Sequence, residues 1–240
     1  MFARAVIARP RAWVWWALWS ASACAVDQKM TVEVLDARLR SSGEALVKTA
    51  APRGALGIGG WRAESIVHER ALAGAPLLER PAPRPSVFYA LSFVMVDAVG
   101  ERWTARCSLE RRAAENADLA AESDEDDDAI GLECGWVERG AAWRLRAAGS
   151  VRRGMIGELR RERDEAASMA VEVIAERRWL GQVDRPLPTP AAQLRRAGVA
   201  VAAMLLDAPE RAWLARGEEA AAAAMTAMVA LRLLPIRAGE

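Results

Sequence analysis

The segment GEEAAAAAMTAMVALRLLP, residues 217–235, decides the fold. Alanine is the best helix former, Glu218 and Glu219 suit the positive end of a helix dipole, and Pro235 stops the helix. The surface of that helix is apolar nearly all round, with Arg232 as the lone charge after Glu219. A helix without a polar stripe has to be buried in protein or lipid. At about 17 residues it is marginal as a membrane span, which needs about 20. Its many small side chains suit a helix threaded through a tight protein interior, so the rest of the chain is expected to fold around it.

The residues before it supply a wrap of β-structure. Residues 191–207 read as a strand, a turn at Ala197-Gly198 and a second strand, and Ala208-Pro209-Glu210 then turns into 211–215. Working backwards, 155–162 and 169–179 form a pair around Arg163-Asp164-Glu165, and 183–190 is a loop. Residues 130–138 and 141–149 flank an Arg139-Gly140 turn. VFYALSFVMVD (87–97) has apolar groups on both faces, which predicts a strand covered on both sides. It turns at Asp97–Gly100 into a strand in which Trp103, Ala105, Cys107 and Leu109 alternate with polar residues. Earlier parts are less ordered to the eye. Thr31–Leu35 alternates in strand fashion, 50–60 is a Gly-rich turn region, and 74–86 carries four prolines of an extended loop.

The architecture expected is mostly antiparallel β (α+β class), a β-barrel of about ten to twelve strands around a buried hydrophobic C-terminal helix. The alternative is a β-sandwich with that helix docked on it. Residues 31–240 would form one domain.

The N-terminus reads MFARAVIARPRAWVWWALWSASAC. A cationic leader (Arg4, Arg9, Arg11), a short apolar run and small residues at its end are the plan of a secretory signal peptide over residues 1–23. Ser20-Ala21-Ser22-Ala23-Cys24 resembles the lipobox of bacterial lipoproteins, with Ala21 where leucine is usual. The resemblance implies diacylglyceryl attachment at Cys24, a tether over 24–30 and, with Ala25 rather than Asp after the cysteine, an outer-membrane lipoprotein facing the periplasm. Several acyl chains hold a protein to a membrane stably. The alternative is ordinary cleavage after Ala23, giving a soluble periplasmic protein.

Charge and cysteine usage narrow the function further. The chain carries 33 basic and 32 acidic residues, and removal of the three leader arginines leaves a slight excess of acid. That balance does not indicate a nucleic-acid partner, which calls for a strongly basic domain. With Cys24 acylated, Cys107 and Cys134 remain as an even pair, which in an oxidising compartment suggests a disulfide; two buried thiols are the alternative. They fall on consecutive strands flanking the acidic run Glu122–Asp128. That run lacks the spacing and the glycine of an EF-hand and reads as a solvated loop rather than a Ca²⁺ site.

No catalytic residue, metal site or cofactor is assigned. His68 is the only histidine and lies in SIVHERA, with no nucleophile motif beside it. Gly57-Ile58-Gly59-Gly60 lacks the third spaced glycine of a dinucleotide site. The tryptophans of the mature chain sit mostly on strands and read as core.

LRRAGVAVAAMLLDAPERAWLARGEEAAAAAMTAMVALRLL (194–234) resembles the ending of the tubby-like group, which includes tubby, the LURP-one-related proteins and the phospholipid scramblases. That group folds as an antiparallel barrel around a central C-terminal helix. The likeness covers the last fifth of the chain and does not extend before residue 87. It implies anionic-lipid binding through a basic face, and Arg160, Arg177 and Arg195, one from each of three arginine pairs, are the candidate contacts. Three roles follow: a non-enzymatic binding or structural lipoprotein of the cell envelope, an anionic-lipid module, or an envelope hydrolase using carboxylates.

Overall fold

The computed structural model describes residues 35–72, 86–112, 129–150, 154–174, 177–180, 183–186, 190–207 and 210–234. The expected leader, Cys24 and its tether, the Pro-rich stretch Pro76–Pro85 and the acidic run Glu122–Asp128 lie outside the described residues.

Twelve strands close into one barrel. They are β1 (Glu44–Thr49), β2 (Leu56–Ile58), β3 (Trp61–Leu72), β4 (Ser86–Val96), β5 (Arg102–Arg112), β6 (Ala129–Glu138), β7 (Ala141–Ser150), β8 (Gly154–Arg161), β9 (Asp164–Ile174), β12 (Ala191–Arg196), β13 (Val199–Leu205) and β14 (Arg211–Leu214). Their order around the wall is β1-β14-β13-β12-β9-β8-β7-β6-β5-β4-β3-β2, every pairing antiparallel, and β1 meets β2 to close it. A hairpin of β10 (Arg177–Leu180) and β11 (Val183–Pro186) stands apart as a two-stranded sheet. Its second strand corrects the expectation of a loop over 183–190. The ring of pairings closes, but β2 covers only Trp61–Ala63 of β3, so among the described residues the rest of that strand, Glu64–Leu72, is paired on its β4 side alone.

Local sequence sets the hairpins. Arg139 and Gly140 have φ of 48° and 76°, and Ala197 and Gly198 have 48° and 81°. Two successive positive-φ residues make the tight turn whose twist matches that of the flanking strands. Along β6 the side chains alternate strictly: Ile130, Leu132, Cys134, Trp136 and Glu138 point in, while Ala129, Gly131, Glu133, Gly135 and Val137 point out.

The helix α2 (Ala221–Leu233) runs inside the barrel. Every residue from Ala222 to Leu231 is buried, and the helix forms one hydrophobic cluster with the inward side chains of the wall. The helix is shorter than the expected 217–235; Glu218 precedes it. There the Glu218 carboxylate accepts from the backbone N–H of Ala220 at 3.0 Å and pairs with Arg196 at 2.8 Å. Midway, the Trp103 indole N–H donates to Thr226 Oγ1 at 3.0 Å, and that hydroxyl donates to the Ala222 carbonyl at 2.7 Å. This pair sets the depth of the helix in the barrel. At the far end Arg232 reaches Glu210 at 2.8 Å, and Lys48 on β1 lies 3.1 Å from the other oxygen of that carboxylate. Among the described residues no helix is long and apolar enough to cross a membrane.

A second, smaller cluster lies on the outer wall. A short helix, α1 (Ala37–Ser42), is capped by Asp36, whose carboxylate accepts from the N–H groups of Arg38 and Leu39. Leu35 and Leu39 cover the outward side chains Trp213, Ala203 and Leu205. Leu35 therefore leads into a helix and does not end a strand; residues 31–34 lie outside the described residues.

The double burial expected of β4 is also corrected. Leu91, Phe93 and Met95 are buried inside, but Phe88 and Ala90 are exposed on the outer face and Ser92 and Val94 are half-buried. Unlike the wall under α1, this apolar outer face carries no covering layer from the described residues.

Candidate functional site on the outer wall

Since α2 occupies the lumen, the accessible surface of the barrel is its outside. A closed barrel is convex there, so a hollow forms only where side chains are missing. One does, over β4 to β8, with a volume of about 720 Å³. The register places Phe88, Glu110, Gly131, Ala148 and Ile156 in one row across five neighbouring strands. The two ends of the row are large and exposed, Phe88 at 38% and Ile156 at 76%. Between them stand Glu110, Gly131 and Ala148. Four strand spacings of about 4.8 Å put the two walls roughly 19 Å apart between Cα atoms.

The floor glycines differ in kind. At Gly157 a Cβ would meet the Arg146 carbonyl oxygen at 2.0 Å, so the close approach of β7 and β8 requires glycine there. At Gly131 a Cβ would meet nothing within 4 Å, and the residue does not have positive φ. Glycine inside a strand costs roughly 0.5–1 kcal/mol relative to alanine, and at Gly131 nothing among the described residues offsets that cost.

The charged groups of the hollow are Glu110, Glu133, Glu158 and Arg146. Arg146 is held by Glu133 through contacts of 3.1 and 3.3 Å. The neighbouring row is basic: Arg106, Arg144 and Arg160 stand on β5, β7 and β8 with Gly135 between the first two. A second hollow of about 250 Å³ lies among Arg144, Arg146, Glu158, Arg160, Glu162 and Arg163. Arg144 is shared by Glu133 at 3.7 Å and Glu162 at 3.4 Å, so this basic row is interleaved with carboxylates.

The three arginines singled out from sequence do not form one site. Arg160 lies in the second hollow, exposed on β8. Arg195 is on β12, separated from β8 by β9, and is engaged by Asp36 at 3.6 Å and the Gly198 carbonyl at 3.1 Å. Arg177 belongs to the detached hairpin, and its side chain lies outside the described residues. Cys107 and Cys134 are direct partners on β5 and β6 and form a disulfide, with Cα atoms 4.0 Å apart. His68 is exposed on β3, in register with Leu91.

Acids do converge where α2 enters the barrel. Asp97, buried in the β4–β5 turn, accepts from the N–H groups of Val99 and Glu101. Arg139 bridges Asp97 at 3.0 Å and also Glu101. Glu138 points inward on β6 with 8% exposure, and one carboxylate oxygen has no hydrogen-bond partner among the described residues. Burial pushes its carboxyl above the ordinary range, as do Asp97 and Glu101, against the opposing pull of Arg139 and Arg161. A buried carboxyl raised above its ordinary range beside other acids is the electrostatic pattern of a proton donor. The burial of Glu138 keeps that proton away from a substrate, and among the described residues no cluster of His, Cys, Asp or Glu could hold a metal.

The sign of this shift gives a testable consequence. The folded protein ionises Glu138 less readily than the unfolded chain, so at neutral pH the group opposes folding, and the penalty fades as pH falls towards the unfolded value near 4.5. Glu138→Gln should therefore raise stability by about 1 kcal/mol at pH 7 and by nothing below about pH 4, as read by urea unfolding at both pH values.

Sequence reasoning missed the hollow because its walls, Phe88 and Ile156, lie 68 positions apart and meet only through the register of five strands. The available signal was a pair of glycines, Gly131 and Gly135, on the outward positions of a strongly alternating strand. No family model, curated protein or solved structure matches the chain.

Proposed function

We propose that this chain is an exported lipoprotein, anchored through acylated Cys24 at the bacterial outer membrane, in which a helix-filled barrel of tubby-like type has a non-enzymatic binding or structural role. The observation that carries the role is the occupation of the lumen by α2, which leaves the outer wall as the working surface. The Cys107–Cys134 bridge supports export, since disulfides persist in oxidising compartments. Intact mass of the membrane fraction, from a host that processes lipoproteins, tests the anchor. The expected species lacks residues 1–23 and carries acyl chains on Cys24, and Cys24→Ala abolishes both the added mass and the membrane association. A chain that retains residues 1–23, or one that sediments with membranes equally well as Cys24→Ala, overturns it.

A second reading, anionic-lipid binding, is favoured by one observation, the row of Arg106, Arg144 and Arg160 across β5 to β8. The pairing of Arg144 with Glu133 and Glu162 weakens it. Likewise, the convergence of Asp97, Glu101 and Glu138 is what a carboxylate hydrolase would show, but the bridging by Arg139 and the burial of Glu138 favour a structural use.

A further inference from the structure

We infer that Asp97, Glu101, Glu138 and Arg139 form a pH-sensitive clasp between two turns at the mouth of the barrel, closed in acid and loosened towards neutral pH. Neither the binding role nor the Cys24 anchor proposed above enters into it. Charge balance is the first observation. The turn Asp97–Glu101 joins β4 to β5, and Arg139-Gly140 joins β6 to β7. Arg139 reaches across to the neighbouring turn and pairs there with Asp97 at 3.0 Å and with Glu101. The other cation acting on Glu138 is Arg161, which is engaged by Asp164 at 3.6 Å. Three carboxylates thus stand round one guanidinium that is already committed to two of them. Groups placed like this titrate together, and the least solvated acid keeps the proton longest.

Burial is the second observation. Glu138 points into the barrel, more than nine-tenths buried, and its Oε2 has no partner among the described residues. Every turn at this end of the barrel lies within those residues. A neutral carboxyl can stay in that position. A carboxylate there lacks a hydrogen bond to one oxygen and faces Asp97 and Glu101, and burial together with those two acids raises its carboxyl above the ordinary range.

The hairpin tip is what can move. Glu138 is the last residue of β6, and Val137 and Arg139 on either side of it are more than half exposed. Once ionised, Glu138 gains by turning out to water and by drawing Arg139 away from Asp97 and Glu101, which lets the two turns part. From the pair Ala105 and Trp136, two residues further along each strand stand Trp103 and Glu138. Trp103 is the side chain that holds Thr226 of α2, so the clasp lies beside the contact that sets the depth of the helix. In the open turn the Glu138 carboxyl returns towards 4.5, so the closed form is favoured in acid and loses ground as pH rises from there to its folded value.

Hydrogen exchange of the full chain, read by mass spectrometry at about pH 4 and about pH 8 and corrected for the intrinsic rate, tests the clasp. Residues 97–101 and 137–141 report the turns, and 131–135 report the middle of β6. The turns are expected to exchange through an opening much smaller than unfolding, with protection about tenfold lower at the higher pH. Glu138→Gln should keep the acid level at both. Three results overturn the clasp: turn protection that is equal or greater at the higher pH; a fall of the same size in Glu138→Gln, which would place the titration on another group; or turns as protected as the middle of β6, which would leave no opening short of unfolding. If Glu138→Gln does not fold, Arg139→Gln replaces it, a change at a side chain more than half exposed. With the tie gone, its turns should show the loosened level in acid as well, and wild-type protection there would overturn the clasp.

Discussion

Replacing Glu210 with alanine is expected to cost about 3–5 kcal/mol of stability, the largest effect of any single surface-to-core ion contact in this barrel. Glu210 precedes β14 and is 2% exposed. Its carboxylate ties α2 and β1 to the start of β14, meeting Arg232 from the end of α2 at 2.8 Å and Lys48 from β1 at 3.1 Å, while its backbone carbonyl accepts from the Lys48 N–H at 3.2 Å. Lys48 is half exposed and contributes little by itself. Arg232 is different, because its guanidinium is mostly buried, and without Glu210 it is a cation with no counter-charge at the end of the helix. The loss therefore exceeds the net worth of the pair.

The pH dependence follows from the same contacts. Burial by itself would raise the Glu210 carboxyl, but its own backbone hydrogen bond, Arg232 and Lys48 outweigh that and hold it below the ordinary range. A group with a depressed folded value stabilises the protein above its unfolded value and loses that contribution as pH falls through the folded one. Urea unfolding of the wild type should weaken below about pH 4.5, and the Glu210→Gln chain should lack that component. A cost under about 1 kcal/mol for Glu210→Ala would show that α2 is not latched at this end.

The second large effect concerns the bridge. Cys107→Ala with Cys134→Ala removes a cross-link closing 27 residues of sequence separation. The chain-entropy model values such a loop at about 3.5 kcal/mol. The strands β5 and β6 remain hydrogen-bonded over eight residue pairs and Leu109, Leu132 and Trp136 remain packed, so the double variant should fold to the same barrel. Its lower stability should be matched by wild type unfolded in the presence of dithiothreitol, and the difference between reduced and oxidised protein should vanish in the variant. Equal stability of oxidised wild type and variant would mean that the β5–β6 ladder already restricts the unfolded chain as strongly as the bond does.

How far the barrel could be read beforehand depends on where the period-two pattern survives. It survives from β4 through β8 and again in β12 to β14, where the turns at Arg139-Gly140 and Ala197-Gly198 punctuate it, and these elements lie close to their expected places. The strand expected over 169–179 is corrected: β9 already starts at Asp164 and ends at Ile174, and 177–179 belongs to the detached β10. The pattern fails in β3. Ser65 adopts φ of 51° in a bulge that shifts the register between Glu64 and Val67, so the inward residues Ala63 and Ile66 are three apart rather than two. One extra residue hides a twelve-residue strand from any search for alternation. β1 and β2 are short, and α1 has six residues, too few to display a helical period. The detached β10–β11 hairpin was hidden by Pro186, which reads as a loop residue but sits at the end of its ladder against Arg177.

The candidate site shows the same division. The cysteine pair was legible by counting, because two thiols on neighbouring strands have few ways to pair. The arginines were not, since a basic side chain's role depends on which carboxylates stand beside it, and Arg195 faces Asp36 from 159 positions away.

What the sequence alone determines about this protein is that residues 217–235 contain a helix with no polar side, too short for a bilayer, around which a β-rich chain must close. That follows from local composition and from the cost of wetting apolar surface. Only the tertiary structure decides the barrel's register, the burial of Glu138 and Glu210, and the hollow between Phe88 and Ile156. Those depend on which residues five or more strands bring into one row, and contacts between distant positions are set by the closure of the whole wall rather than by any segment in it.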